Sequence, residues 1–90
     1  MTATEMIEFP MPELTGSEKQ IAWAKDIRKG MLKDWAKKFE KSEKPFEQIA
    51  KNLEQIFGSR SAKMYIETRN SEKMFRAART KELIAEQKNA

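Results

Sequence analysis

The chain has 90 residues, 39% hydrophobic and 36% charged, and its 18 Lys and Arg outnumber 14 Asp and Glu for a net charge of +4. It contains no Cys and no His, which excludes disulfides, thiolate or imidazole metal sites and Ser-His or Cys-His nucleophile pairs. Three Gly and three Pro are too few for the many turns of a β-sandwich or barrel, so composition points to a single all-α domain with a modest core.

Residues 1–14 hold Pro10 and Pro12, each of which pushes the residue before it toward extended geometry. This stretch reads as an extended acidic arm ahead of one helical domain over 15–90. Thr15-Gly16-Ser17-Glu18 has the form of a capping box, with Thr15 as N-cap and Glu18 reaching back. A long first helix is then predicted near residues 16–42. Trp23, Ile27, Met31, Trp35 and Phe39 recur every four residues along it. Lys25, Lys29, Lys33, Lys37 and Lys41 run two residues out of phase, about 200° around the helix.

Pro45 suits the first turn of a second helix near 45–57, where Phe46, Ile49, Leu53, Ile56 and Phe57 follow amphipathic spacing and Gly58 is placed to end it. Ser59 or Ser61 can cap a third helix near 61–69, and Ser71 a fourth near 71–86. The fold class is therefore a small four-helix domain. Ile27, Trp35, Ile49, Leu53 and Phe57 are its expected core. No apolar run approaches the roughly 20 residues that cross a bilayer, and no signal-peptide pattern opens the chain. A cytoplasmic setting without a membrane partner is expected, and no metal or other cofactor.

Charge is distributed unevenly. Residues 1–18 carry four glutamates and no Lys or Arg, a charge of −4; with +4 overall, the remainder carries +8. Such asymmetry suits a polyanionic partner, or an arm folded back over a basic body. Most of the excess lies in residues 60–81, where Arg60, Lys63, Arg69, Lys73, Arg76, Arg79 and Lys81 face only Glu67 and Glu72. Arginine forks match phosphate and carboxylate alike. The candidate site is therefore Arg60, Lys63, Arg69, Lys73, Arg76 and Arg79 contacting DNA or RNA phosphates. Trp23, at the end of the aromatic row, is the ring best placed to stack on a base. The competing reading is a solvated basic face with internal ion pairs, and aromatic rows of this spacing usually form core.

Leu14 to Lys29 (LTGSEKQIAWAKDIRK) and Ser61 to Asn70 (SAKMYIETRN) resemble paired motifs, LTGSEKQIAWAxxIR and SAKxWIDxR, in a family of small, largely uncharacterised proteins of bacteria, phages and mobile elements. Met64-Tyr65 and Glu67-Thr68 depart from the second motif. The resemblance implies a shared helical fold and an accessory role in a phage or mobile element, with no activity attached. Both motifs equally suit a structural clamp between the long helix and the third. Function is thus expected to be non-enzymatic binding of nucleic acid through the basic segment. The alternative is a protein-interaction factor, an inhibitor or adaptor that docks on an acidic or nucleic-acid-processing protein. Anti-CRISPR inhibitors of host defence nucleases are an analogy of the right size for it.

Overall fold

The computed structural model describes residues 2–88 and contains five helices: α1 (Ala3–Ile7), α2 (Glu18–Phe39), α3 (Phe46–Phe57), α4 (Ala62–Thr68) and α5 (Glu72–Lys88). No strand forms among the described residues. A single isolated bridge pairs Thr15 with Ser61. The fold is all-α, as composition required, with one helix more than periodicity suggested.

The additional helix lies inside the segment expected to be extended. Thr2 accepts a hydrogen bond from Glu5 N (3.1 Å) and Glu5 Oε1 accepts one from Thr2 N (3.0 Å), a complete capping box. Hydrogen bonding to the carboxyl from the Thr2 backbone N–H first, and from the Thr2 side chain second, holds Glu5 below its usual range. The helix ends at Ile7, and residues 8–14, which hold both prolines and the residue before each, are non-helical. Helix α1 packs against α2, and Met6 is fully buried (0% exposed). Glu5, Glu8 and Glu13 form no ion pair among the described residues. The arm therefore folds back through apolar burial, and charge does not hold it. Its far end is pinned by Arg28, whose Nη1 donates to the Pro12 carbonyl at 3.1 Å.

Thr15 is not the cap of α2. Ser17 takes that place, accepting from Gln20 N (3.2 Å) while Gln20 Oε1 accepts from Ser17 N (3.0 Å). Thr15 is engaged across the chain instead: its N–H and hydroxyl both donate to the Arg60 carbonyl (2.6 and 3.0 Å), and its own carbonyl accepts from Ala62 N (3.2 Å). Gly16 makes the turn between this bridge and α2 at φ +142°, a left-handed-side conformation that side chains resist. An added Cβ there would also press on Gln20 and Ala62. The two sequence motifs thus meet at Thr15–Ala62, and α2 packs along α4. The clamp role that the motifs suggested is what their contacts perform here.

The inward line of α2 is Ala24, Leu32 and Ala36, all buried, with half-buried Arg28 in step between them. Ile27 and Trp35, expected in the core, are only half-buried on its flank. Small residues won the interior because they let neighbouring helices approach α2 closely. Helix α3 buries Ile49, Leu53 and Phe57, one face of a four-residue repeat, as its spacing required. Ser61 caps α4 by accepting from Met64 N (3.1 Å), and Ser71 caps α5 by accepting from Met74 N (3.2 Å).

At the centre lies a chain of rings drawn from four helices. Tyr65 is 5.6 Å from Phe75, Phe75 is 5.9 Å from Phe57, and Phe57 meets the edge of Trp35 at 6.1 Å. Trp35 then stacks on Phe39 at 5.1 Å. The Tyr65 hydroxyl is not wasted by burial: it donates to the Phe57 carbonyl at 3.0 Å, satisfying the end of α3.

Two measurements check this core. Met6→Ala is expected to cost about 2–5 kcal/mol in a denaturant titration, as for other buried long side chains; a change within noise would mean that α1 is not docked. Burial pushes the Tyr65 hydroxyl up to about 12, against the opposing pull of the Arg28 and Arg79 charges. As the folded value lies above the unfolded one of about 10, Tyr65 costs no stability below pH 10, and its contribution is lost as pH rises from about 10 to about 12. Tyr65 is the single tyrosine, so tyrosinate absorbance should appear late in native protein and near pH 10 in denaturant. Tyr65→Phe should remove the corresponding part of the alkaline stability loss.

Candidate nucleic-acid interface

The six cations singled out from sequence fall into separate environments. Arg79 does not belong to any exposed surface. Its side chain is 7% exposed, and it is the one guanidinium drawn into the protein from α5. Phe75 and Arg79 are four residues apart and share the inward face of that helix. Arg79 Nε donates to the Gln55 carbonyl (2.6 Å) and Nη2 to the Glu54 carbonyl (3.4 Å), at the C-terminal end of α3 where carbonyls lack helical partners. Nη1 pairs with Glu82 (3.2 Å) and Glu86 (3.6 Å). Glu82 in turn accepts from buried Ser59 at 2.9 Å. Gly58 makes room for this arrangement: its φ is −82°, so no left-handed turn requires glycine, but a Cβ would collide with the Glu54 carbonyl and come within 2.9 Å of Arg79 Nη2.

Arg60 is exposed in the α3–α4 connection, in a shallow depression beside Pro10, Met11, Pro12, Glu54 and Glu86. Lys63 is exposed on α4 and pairs with Glu67 at 3.7 Å, one turn away. Pairs so exposed contribute little. Lys73 is exposed on α5 and makes no ion pair among the described residues.

Arg69 and Arg76 differ from the others in resting on indole rings. The Arg69 guanidinium lies 4.9 Å from the centre of Trp23, and that of Arg76 lies 4.9 Å from the centre of Trp35. Each has a second anchor: Arg69 Nη1 donates to the Ile66 carbonyl, and Arg76 Nη2 to Glu72 Oε1 at 3.0 Å. Trp23 is 48% exposed, consistent with its place at the end of the aromatic row. Lys38 Nζ approaches the Trp35 ring at 5.6 Å, and Lys44 Nζ approaches Phe39 at 5.7 Å. Such contacts are each worth roughly 0.5–1 kcal/mol where exposed.

Of these residues, Arg69, Trp35 and Lys38 line an open depression of about 530 Å³ between α2 and the α4–α5 turn, and Arg76 lines a neighbouring one of about 250 Å³ between α3 and α5. Met31, Trp35 and Phe75 supply its apolar lining, and Lys37, Lys38 and Arg69 its positive charge. Asp34 and Glu72 also line it, and Glu72 is already paired with Arg76. The face therefore draws on α2 as much as on segment 60–81. Lys37 was read from sequence only as part of a lysine row, and Lys38 was not singled out. The signal that finds them is spacing: Lys38 lies three residues beyond Trp35, hence on the same helical side. Among the described residues no three acidic side chains are grouped to hold a metal ion.

The burial contrast between the two arginines of α5 can be measured. Arg79→Ala is expected to destabilise the fold by about 3–5 kcal/mol, since it strands Glu82 and two carbonyls. Arg76→Ala should cost about 1 kcal/mol or less by the same denaturant titration, because its pair with Glu72 is half-exposed. Equal losses would contradict this division of roles. Comparison with known proteins assigns nothing to the face: no family model, curated protein or solved structure matches the chain.

Proposed function

We propose that the chain is a non-enzymatic binding protein that holds nucleic acid by its phosphates on the face bordered by Lys37, Lys38, Arg69 and Arg76. The observation that carries this reading is the convergence of Lys37 and Lys38 of α2 with Arg69 at the end of α4 around one depression with an aromatic lining, while Arg76 of α5 rests on the Trp35 ring of that lining. Lysine and arginine supply the charge that phosphate contact needs, and aromatic rings add stacking surface. Arg79 is withdrawn from the proposed contact set by its burial. Arg60, Lys63 and Lys73 are not among the residues that line the depression. An accessory role in a phage or mobile element remains what the sequence motifs imply.

An inhibitor or adaptor that docks on another protein is the second reading. It is favoured by a depression of about 250 Å³ between α3 and α5, lined by Ile56, Phe75 and Leu83, and by the exposed side chains of Phe46, Met74 and Ile84.

Salt dependence tests the first reading. Four phosphate contacts release counterions to give a log–log slope near −3.6 on duplex DNA and near −2.8 on a single strand, at roughly 0.9 and 0.7 per contact. Replacing Lys37 and Lys38 with Ala should make that slope shallower by about one to two units. Replacing Arg60 and Lys63 should leave it unchanged, although they belong to the most basic stretch of sequence. If duplex DNA, single-stranded DNA and RNA all fail to bind at low salt, the nucleic-acid reading is lost and the protein-docking one takes its place.

A further inference from the structure

The geometry points to single-stranded nucleic acid as the ligand of this face, held by bases stacked on the Arg69–Trp23 and Arg76–Trp35 pairs. The inference rests on the nucleic-acid reading above and narrows it to one class of ligand. Phosphate contact alone needs only exposed cations, and flexible lysines would serve. What the face has in addition is two planar guanidinium groups, each laid on an indole at 4.9 Å and each fixed by a second hydrogen bond.

A guanidinium stacked on a ring presents its other side outward. The Arg76 side chain is 56% exposed, Arg69 is exposed, and Trp23 is 48% exposed, so π-surface is open at both pairs. Unpaired bases stack on aromatic rings and on arginine planes, whereas bases inside a duplex have both faces covered by their neighbours. A duplex can use the charges of this face and none of its flat surface.

The two pairs are also separated as a strand would require. Trp23 and Trp35 are twelve residues apart on α2, about 18 Å along its axis. Twelve residues also turn the helix by a net of about 120°, so the two pairs are linked through Arg69, which rests on Trp23 and lines the depression together with the Trp35 ring. Lys37 and Lys38 lie just beyond Trp35 on α2 and line the depression, placed to meet phosphates that flank a base on the Arg76–Trp35 pair. Asn70 lines it as well, and its amide offers both a donor and an acceptor to a base edge. Stacking tolerates any base, so the expected recognition is of single strands broadly, with little sequence preference.

The test compares ligands that share phosphates and differ in accessible bases. Wild-type protein is titrated with a single-stranded oligothymidine, an oligouridine and a duplex of equal length. An abasic oligomer with the same phosphate count completes the set, all at one salt concentration. Single strands should bind at least about tenfold more tightly than duplex, and removal of the bases should weaken binding about tenfold or more. The deoxy and ribo strands should be similar, because stacking does not consult the 2′-hydroxyl. Both tryptophans of the chain belong to the proposed pairs, so their fluorescence should be quenched by single strands and not by the abasic oligomer.

R69K and R76K keep charge and remove the plane. Each should lower single-strand affinity several-fold, leave abasic binding unchanged and leave the salt slope unchanged; Trp23→Ala, at an exposed ring, provides a second variant with the same expectation. Duplex binding as tight as single-strand binding, or abasic binding equal to that of the intact strand, would overturn the inference and leave phosphate recognition standing. Absence of binding to every ligand would remove both.

Discussion

Four of the five helices meet through one line of rings, and little else in this chain is large enough to hold them. Tyr65 of α4, Phe75 of α5, Phe57 of α3 and Trp35 of α2 touch in succession at 5.6–6.1 Å. A 90-residue protein has one thin core, and aromatic side chains bury the most apolar surface per residue. The rest of the interior adapts to that line. Ala24, Ala36 and Ala62 are small where helices must approach, and aliphatic residues such as Leu32, Leu53 and Met6 fill what remains. The Tyr65 hydroxyl reaches the last carbonyl of α3 because the ring stands where it does. Trp35, at the outer end, is half in the core and half in the candidate face, so fold stability and the proposed ligand contact would share a side chain.

Arg79 is the polar counterpart of that line. Helix α3 touches α5 only sparingly, and its C-terminal carbonyls would be left without partners at a buried edge. A guanidinium has enough donors to serve two carbonyls and two carboxylates at once, and Arg79 does so. Glu82 extends the network to Ser59, whose hydroxyl also accepts from Ser61 N at the start of α4. The same network uses up two of the acidic side chains of α5. It therefore leaves Glu72, paired with Arg76, as the one acidic side chain of α5 set against the remaining cations of that helix, Lys73, Arg76, Lys81 and Lys88.

Helices α3, α4 and α5 were legible in the sequence because each has a local signature that tertiary contacts did not override. The Ile49–Leu53–Phe57 repeat and the serines at 61 and 71 act within one or two turns of where they stand. Helix α1 had such a signature too, in Thr2 and Glu5, but the nearby prolines drew the reading toward an extended arm; their reach covers only the residue before each. The start of α2 turned on a long-range event. Thr15 is forty-five positions from Arg60, and no local rule sets a bridge there ahead of a cap. The inward line of α2 was misjudged because large apolar residues signal burial more loudly than alanine does. The burial of Arg79 left a trace, since it stands four residues from Phe75 on an apolar stripe. Charge counting along 60–81 hid that trace, as it hid Lys37 and Lys38, which reach the depression from another helix.

The way cations are held distinguishes the two sides of this molecule. A cation paired with a carboxylate under cover, as Arg79 is with Glu82, loses most of its field to its neighbour. A cation laid on an aromatic ring is positioned without a counter-charge and keeps its attraction for an anion. Arg69 and Lys38 are held in the second way, and Arg76 in both. The Glu72–Arg76 pair is exposed enough that its strength is slight, so a phosphate competes for that guanidinium on nearly equal terms. Preset side chains also surrender less rotamer freedom when a ligand arrives, a saving of the order of 0.5–1.5 kcal/mol for each long side chain. A basic patch tuned only for solubility has no need of such positioning. The placement of Arg69 and Arg76 on tryptophan, rather than the number of charges in the segment, is what the proposal of an anionic, planar-based partner for this face rests on.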